Sequence, residues 1–334
     1  MILVTGGTGM VGAHLLLHLL QNNEAVRAIY RTPASLEKTK TFFAQENQSF
    51  LFDKIQWIQA DILDIPALEK AFEDISHVYH CAALISFDPN HEEQLRKTNI
   101  EGTANMVNCS IDFSVKKFCY VSSIAALGDT KEGETVITEE TEWNPEKNHG
   151  DYALSKFGAE TEVWRASQEG LQIVIVNPGV IFGTGFYPSG SNELLCKIQN
   201  GFPFYSKGST GITAVNDVVK IMTSLMKSEI HGERFTVVSE NMNLQELLFT
   251  LADNLHKKRP YIYARPYITS FAWRMDWLIS KLFFRERTFT RATAKSSHST
   301  DIYDNSKVTS KLNYTFQPMK ECLAIVSQAY LKAQ

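Results

Sequence analysis

Tyr152 and Lys156 stand four residues apart in Asp151-Tyr152-Ala153-Leu154-Ser155-Lys156, a stretch that reads as the opening of a helix. That spacing sets both side chains on one helical face, pointing the same way. A cation beside a phenol favours the phenolate and lowers its pKa from about 10 toward working pH. Such a phenol can pass a proton to or from a carbonyl oxygen during hydride transfer. Ser123, at the end of an apolar run, carries a hydroxyl that can hydrogen-bond the same oxygen and orient it. Taken alone, Tyr-x-x-x-Lys also fits an ordinary surface pair.

A dinucleotide has a place to bind at the start of the chain. Ile2, Leu3 and Val4 form a short apolar run, and Val11, Leu15, Leu16, Leu19 and Leu20 follow at helical spacing. Between them Gly6, Gly9 and Gly12 are spaced Gly-x-x-Gly-x-x-Gly. Glycine allows a tight strand-to-helix turn and lets backbone approach a ligand closely. The N–H groups of the helix N-terminus, at Met10, Val11 and Gly12, then face a phosphate, aided by the helix dipole. The other reading is a tight turn in some other α/β protein.

Residues 25–30 read as a second strand ending at Arg31, about 20 residues beyond Gly12, where a dinucleotide-binding unit meets the adenosine ribose. An acidic residue there suits NAD, whereas Arg31 suits the 2′-phosphate of NADP through charge-assisted hydrogen bonds. NADP is the expected cofactor and NAD the alternative. Residues 54–59 form a third strand, followed by Asp61 and Ile62. An aspartate in that place can hydrogen-bond an adenine amine, or cap a helix starting near Pro66. Residues 77–81 lead into Ala82 and Ala83, whose small side chains leave backbone open to a ligand. Residues 35–48 read as an exposed helix, 92–113 as another helix, and 116–121 as the fifth strand.

Each strand is an apolar run rather than an alternation, the mark of a parallel sheet covered on both faces. Right-handed crossovers then give a Rossmann-type, doubly wound α/β fold with ligands at the carboxyl ends of the strands. The 334 residues, 44% hydrophobic and 21% charged, suffice for one large domain or a domain with a smaller lobe. A formal charge of −4 gives no reason to expect nucleic acid as a partner. The five cysteines are scattered without metal-binding spacing and fit reduced core thiols, so no metal is expected. The first strand begins at the first residue and no run of 18 apolar residues occurs. A cytoplasmic protein without membrane association is expected.

Together these segments resemble the extended short-chain dehydrogenases/reductases, the group of NAD(P)-dependent epimerases, dehydratases and reductases. The glycine loop, Asp61, His80-Cys81-Ala82-Ala83, Asn99-Ile100-Glu101-Gly102-Thr103, Ser123, Tyr152 with Lys156, and Asn177-Pro178-Gly179 carry the resemblance over nearly the whole chain. It implies that Tyr152 is the catalytic acid–base, that Lys156 binds the nicotinamide ribose and lowers the tyrosine's pKa, and that Ser123 polarises the substrate. Ser123 rather than Ser122 matches the family's pattern, five residues before Gly128. Asn99 matches an asparagine that supports the site through backbone and water, and also reads as a helix cap. Pro178 and Val180 join the expected cofactor contacts, and Leu84, Phe87 and Asn177 the expected substrate contacts. A homodimer through the helices near 92–113 and 151–168 is implied as well.

Ile124 and Ala125 stand where nucleotide-sugar dehydratases carry an Asp-Glu pair, so dehydratase chemistry is not expected. The segments 177–183 and 82–89, with Arg31, resemble the dihydroflavonol reductase and cinnamoyl-CoA reductase branch. There hydride passes from NADPH to a ketone or aldehyde of a fairly apolar molecule.

Residues 1–177 are expected to form the dinucleotide-binding domain, with 212–238 and about 301–316 returning to it. A smaller mixed substrate lobe takes 178–211, 239–300 and a C-terminal helix, 317–334. Aromatic residues including Phe182, Phe186 and Tyr205 can wall an apolar pocket or form the lobe's own core. Asp217 is expected to cap a helix over 217–227. Residues 257–291 are rich in basic and aromatic side chains, Trp273, Trp277 and Phe284 among them, with only Asp276 and Glu286 acidic. Ile268, Phe271, Met275, Leu278 and Leu282 give this stretch one apolar helical face. A helix covering the pocket is the first reading, ahead of a dimer surface and a membrane-surface helix.

The expected function is NADP(H)-dependent reduction of a small-molecule carbonyl, reversible as alcohol oxidation. The alternatives are a nucleotide-sugar epimerase that retains NAD, and a non-catalytic NADP-sensing regulator or assembly factor. The presence of Ser123, Tyr152 and Lys156 counts against the regulator.

Overall fold

The computed structural model describes all residues except Pro188, Phe284, Glu286 and Thr288; Phe284 and Glu286 of the basic aromatic stretch therefore lie outside the described residues. Seven parallel strands make the central sheet: β1 (Ile2–Thr5), β2 (Val26–Tyr30), β3 (Gln56–Gln59), β4 (His77–His80), β5 (Lys117–Val121), β6 (Ile173–Pro178) and β7 (Glu233–Val237). Their order is β7-β6-β5-β4-β1-β2-β3. The strand order reverses between β1 and β4, which opens a crevice at their carboxyl ends.

The apolar runs are explained by what lies above and below. Helices α1 (Met10–Gln21), α2 (Pro33–Gln45) and α6 (Val215–Lys227) cover one face, where Val4, Leu15, Leu16, Phe42 and Met222 share a core. Helices α3 (Ile65–Phe72), α4 (Gly102–Asp112) and α5 (Asp151–Gln168) cover the other, where Leu3, Phe72, Met106, Phe118 and Val163 meet. Successive strand residues point to opposite faces, so Leu3 and Val4 enter different cores and both must be apolar. The 35–48 segment is less exposed than its composition suggests. Thr32 caps α2, which buries Phe42 and Phe43, and a separate turn of helix follows at Ser49–Phe52.

A three-stranded sheet, with Ser209–Ala214 between Val180–Phe182 and Glu240–Asn243, carries a third core. Helices Glu193–Gln199, Leu244–Asn254 and Met319–Lys332 surround it through Leu195, Leu251 and Leu323. Strand β7 returns the chain to the edge of the central sheet beside β6. Asp217 does not cap α6, which starts two residues earlier at Val215. Its carboxylate instead accepts hydrogen bonds from the Tyr314 hydroxyl at 2.7 Å and the Gln317 amide at 3.1 Å, tying the C-terminal segment to the helix. Among the described residues no helix is long and apolar enough to cross a membrane.

Candidate active site

The glycine loop turns from β1 into α1 under tight constraint. Gly6 has φ +67°, and a Cβ there would stand 2.6 Å from the Ala82 nitrogen. A Cβ on Gly12 would stand 2.2 Å from the Gly6 carbonyl oxygen. Those two glycines let the loop close against itself and against the end of β4. Gly9 differs: it is exposed, its φ is −106°, and a Cβ would meet nothing closer than 3.5 Å. No side chain caps α1 and no acid sits in its first turn. The amides of Met10, Val11 and Gly12 thus form a helix N-terminus suited to a dinucleotide pyrophosphate.

Around that loop lie the other expected cofactor contacts. Arg31 follows β2 with its side chain exposed, while its carbonyl accepts from Gln59 Nε2. Asp61, half-buried after β3, holds the Leu63 amide, and the cap of α3 belongs to Asp64, which accepts from Ala67. The cap alternative for Asp61 is thereby removed. Ile62 is buried, its side chain against Gly102 and its carbonyl accepting from Asn105, so its side chain belongs to the core. Ala82 donates its amide to Thr5 Oγ1. Pro178 is buried at the end of β6, and Val180 pairs with Ile212 in the small sheet.

Ser123 follows β5 and Tyr152 opens α5; the Ser123 hydroxyl accepts from the Ala125 amide at 3.1 Å and lies where it acts on the Tyr152 phenol. Loss of solvent pushes the Tyr152 phenol up to about 12, partly offset by the Ser123 hydroxyl. Ser122, its neighbour, is buried and donates to Glu160 instead. Lys156 is buried too, and its Nζ donates to the Tyr120 hydroxyl at 2.7 Å and the Val121 carbonyl at 2.8 Å. Burial pulls the ammonium down to about 7, opposed by the Glu160 carboxylate. Lys156 Nζ is turned toward Tyr120, and burial, which penalises the phenolate, sets the direction of the Tyr152 shift.

Asn99 is not a helix cap. It lies inside a π-helical stretch, Arg96–Glu101, and is 1% exposed. Its side chain accepts from the Leu84 amide at 2.7 Å and donates to the Leu84 carbonyl and to Ser155 Oγ, both at 2.9 Å. Ser155 in turn donates to the Tyr152 carbonyl. Asn99 therefore locks the loop after β4 to the first turn of the tyrosine helix through direct bonds.

Two expected substrate contacts are corrected. Asn177 is fully buried, and its amide donates to the Ser123 carbonyl and the Glu160 carboxylate, so it fixes the serine's backbone from beneath. Phe186 has φ +58° and packs on Phe42 of α2 with ring centroids 5.5 Å apart, joining the α1–α2 core. Leu84 and Phe87 do lie by the site: Leu84 through Asn99, and Phe87 with its ring edge-on to Tyr152 at 5.6 Å.

Several supporting residues were not apparent from sequence. Glu160, 2% exposed, accepts from Ser122, Asn177 and Arg234. It extends the Tyr152 and Lys156 face by another four residues, and that spacing was the available signal. His80 is fully buried between Thr5 and Thr103, and burial with Lys156 nearby holds its imidazole down to about 3, hence neutral. Tyr120 had no signal beyond its place in an apolar strand.

A cavity of about 720 Å³ begins at Ile124 and Ala125, directly after Ser123. Its far wall is the helix α7 (Pro266–Phe283), through Pro266, Thr269 and Trp273, together with Arg291. The helix thus borders a cavity, yet the side it presents is not the expected apolar one. Phe271, Leu278 and Leu282 are exposed, and the buried residues are Thr269, Asp276 and Ser280. Among the described residues no cluster of metal-ligating side chains occurs.

A doubly wound parallel sheet, a glycine loop after its first strand and a serine with a Tyr-x-x-x-Lys helix after its fifth define a class of dinucleotide-dependent enzymes. The chain belongs to the NAD-dependent epimerase/dehydratase family, whose model matches residues 2–237. It is 28% identical over 348 residues to a Synechocystis protein named provisionally as a dihydroflavonol 4-reductase, covering 99% of this chain and 96% of that one. Anthocyanidin reductase of Arabidopsis thaliana is 27% identical over 282 residues, covering 77% of this chain and 80% of its own. UDP-glucose 4-epimerase of Thermotoga maritima, solved with UDP-glucose, superposes with a TM-score of 0.77 over 99% of both chains; at 19% identity this is a likeness of fold alone. The protein is an NAD(P)-dependent enzyme of the extended short-chain dehydrogenase/reductase type.

Proposed function

We propose that the protein is an NADP(H)-dependent oxidoreductase that reduces a ketone or aldehyde of a fairly apolar small molecule, and oxidises the alcohol in reverse. The observation that carries this is the placement of Ser123 just past the carboxyl end of β5 and of Tyr152 in the first turn of α5, with the serine hydroxyl acting on the phenol. A substrate oxygen placed between those hydroxyls receives a proton from Tyr152 while Ser123 holds its lone pair. Burial keeps Tyr152 protonated, the form that reduction requires. A bound NADPH supplies the hydride. Arg31, exposed after β2, supplies a cation for the 2′-phosphate. Ile124 and Ala125 offer no acid–base pair for dehydration.

The test is NADPH oxidation across a panel of apolar ketones and aldehydes. Consumption with at least one of them, and weaker use of NADH, is the expected result. Protein that retains NAD through purification and consumes no NADPH with any carbonyl would favour an epimerase instead.

A further inference from the structure

Helix α7 is amphipathic in the inverse sense. Its buried residues are Thr269, Asp276 and Ser280, whereas Tyr267, Phe271, Leu278 and Leu282 are between 42% and 66% exposed. At 100° per residue these four fall within a single 60° arc pointing away from the protein. Solvated apolar stripes of this kind mark surfaces that have a partner.

Charge identifies the partner. Arg274 and Lys281 lie one heptad apart along one edge of the stripe, and their cations sit over the rings of Trp273 and Trp277 at 4.5 and 5.3 Å. The one acid of the helix, Asp276, is buried and paired with Arg285. A second copy meeting this face across a two-fold axis would bring like charges together. An apolar stripe with tryptophans and a basic edge instead matches the boundary of an anionic bilayer. We propose that α7 docks the protein on anionic membrane surfaces. This reverses the expectation that the chain has no membrane association, and it holds whichever carbonyl the enzyme reduces.

The helix is coupled to the active-site entrance. Beyond its C-terminal end the Arg287 amide donates to Asp88 at 2.7 Å. Asp88 closes the loop bearing Ile85 and Phe87, both more than half exposed, with Phe87 against Tyr152. An apolar loop that bears on the catalytic tyrosine is therefore anchored at the same end of the helix.

Flotation of the full chain with vesicles tests this, using phosphatidylcholine alone or with phosphatidylglycerol added. At low salt the protein should float about fivefold more with the anionic vesicles, and salt should reduce the difference. A Phe271→Ser, Leu278→Ser, Leu282→Ser triple variant and an Arg274→Glu, Lys281→Glu double variant should each lose flotation while melting near the wild-type temperature, since all five positions are solvated. No wild-type flotation with anionic vesicles, or flotation that both variants retain, would overturn the proposal. So would a wild-type dimer that the triple variant converts to monomer without any vesicle binding, which would assign the stripe to a second copy.

Discussion

Lys156 Nζ lies 2.7 Å from the Tyr120 hydroxyl and directs its second hydrogen bond to the Val121 carbonyl, both on β5. The cation one turn beyond Tyr152 on the catalytic helix is thus held by the floor of the site. Burial raises the Tyr152 phenol and the Ser123 hydroxyl opposes that shift.

Burial lowers Lys156 from its ordinary 10.5 to about 7. Between those values the unfolded chain binds a proton that the folded chain lacks, so this group makes stability rise with pH across that window. Melting curves of wild type and Lys156→Met from pH 6.5 to 10 should show the wild type gaining relative to the variant as pH rises. A pH-independent difference would refute the lowered pKa. Tyr120→Phe removes one acceptor of the ammonium and should move the titration lower still.

Gly9 and Gly12 should behave differently when each is changed to alanine. Gly12→Ala forces a methyl onto the Gly6 carbonyl, an overpacking that costs about 1–3 kcal/mol and lowers the melting temperature. Gly9→Ala meets no such obstacle, yet its methyl intrudes where phosphate approaches. Calorimetric titration should find its NADPH affinity reduced roughly tenfold with melting unchanged. Equal melting losses in both variants would make Gly9 a packing residue.

Arg31→Asp should weaken NADPH binding by about 1.5–3 kcal/mol, the usual worth of hydrogen bonds to a charged group, and leave NADH binding little changed. Titration of both cofactors against wild type and variant checks this. Equal losses for the two would remove Arg31 from the 2′-phosphate.

The sheet was legible because burial on both faces leaves no polar alternation, as the adjacent Leu3 and Val4 illustrate. Tyr152 and Lys156 were legible because one helical turn relates them. What escaped detection depends on distant partners. Asp217 meets Tyr314 and Gln317, about a hundred residues on, and Phe186 turns to Phe42 through a positive φ. Periodicity located the apolar stripe of α7 but carried no information about which side faced the protein. Packing placed Thr269 and Ser280 inward.

The central claim is that Tyr152 donates the proton. Once the carbonyl panel yields a substrate, its single-turnover reduction by NADPH-loaded wild type and Tyr152→Phe measures that step directly. The hydride-transfer rate should fall by about 10²–10⁴ in the variant, with NADPH affinity within about twofold of wild type. A variant that turns over at the wild-type rate would contradict the account.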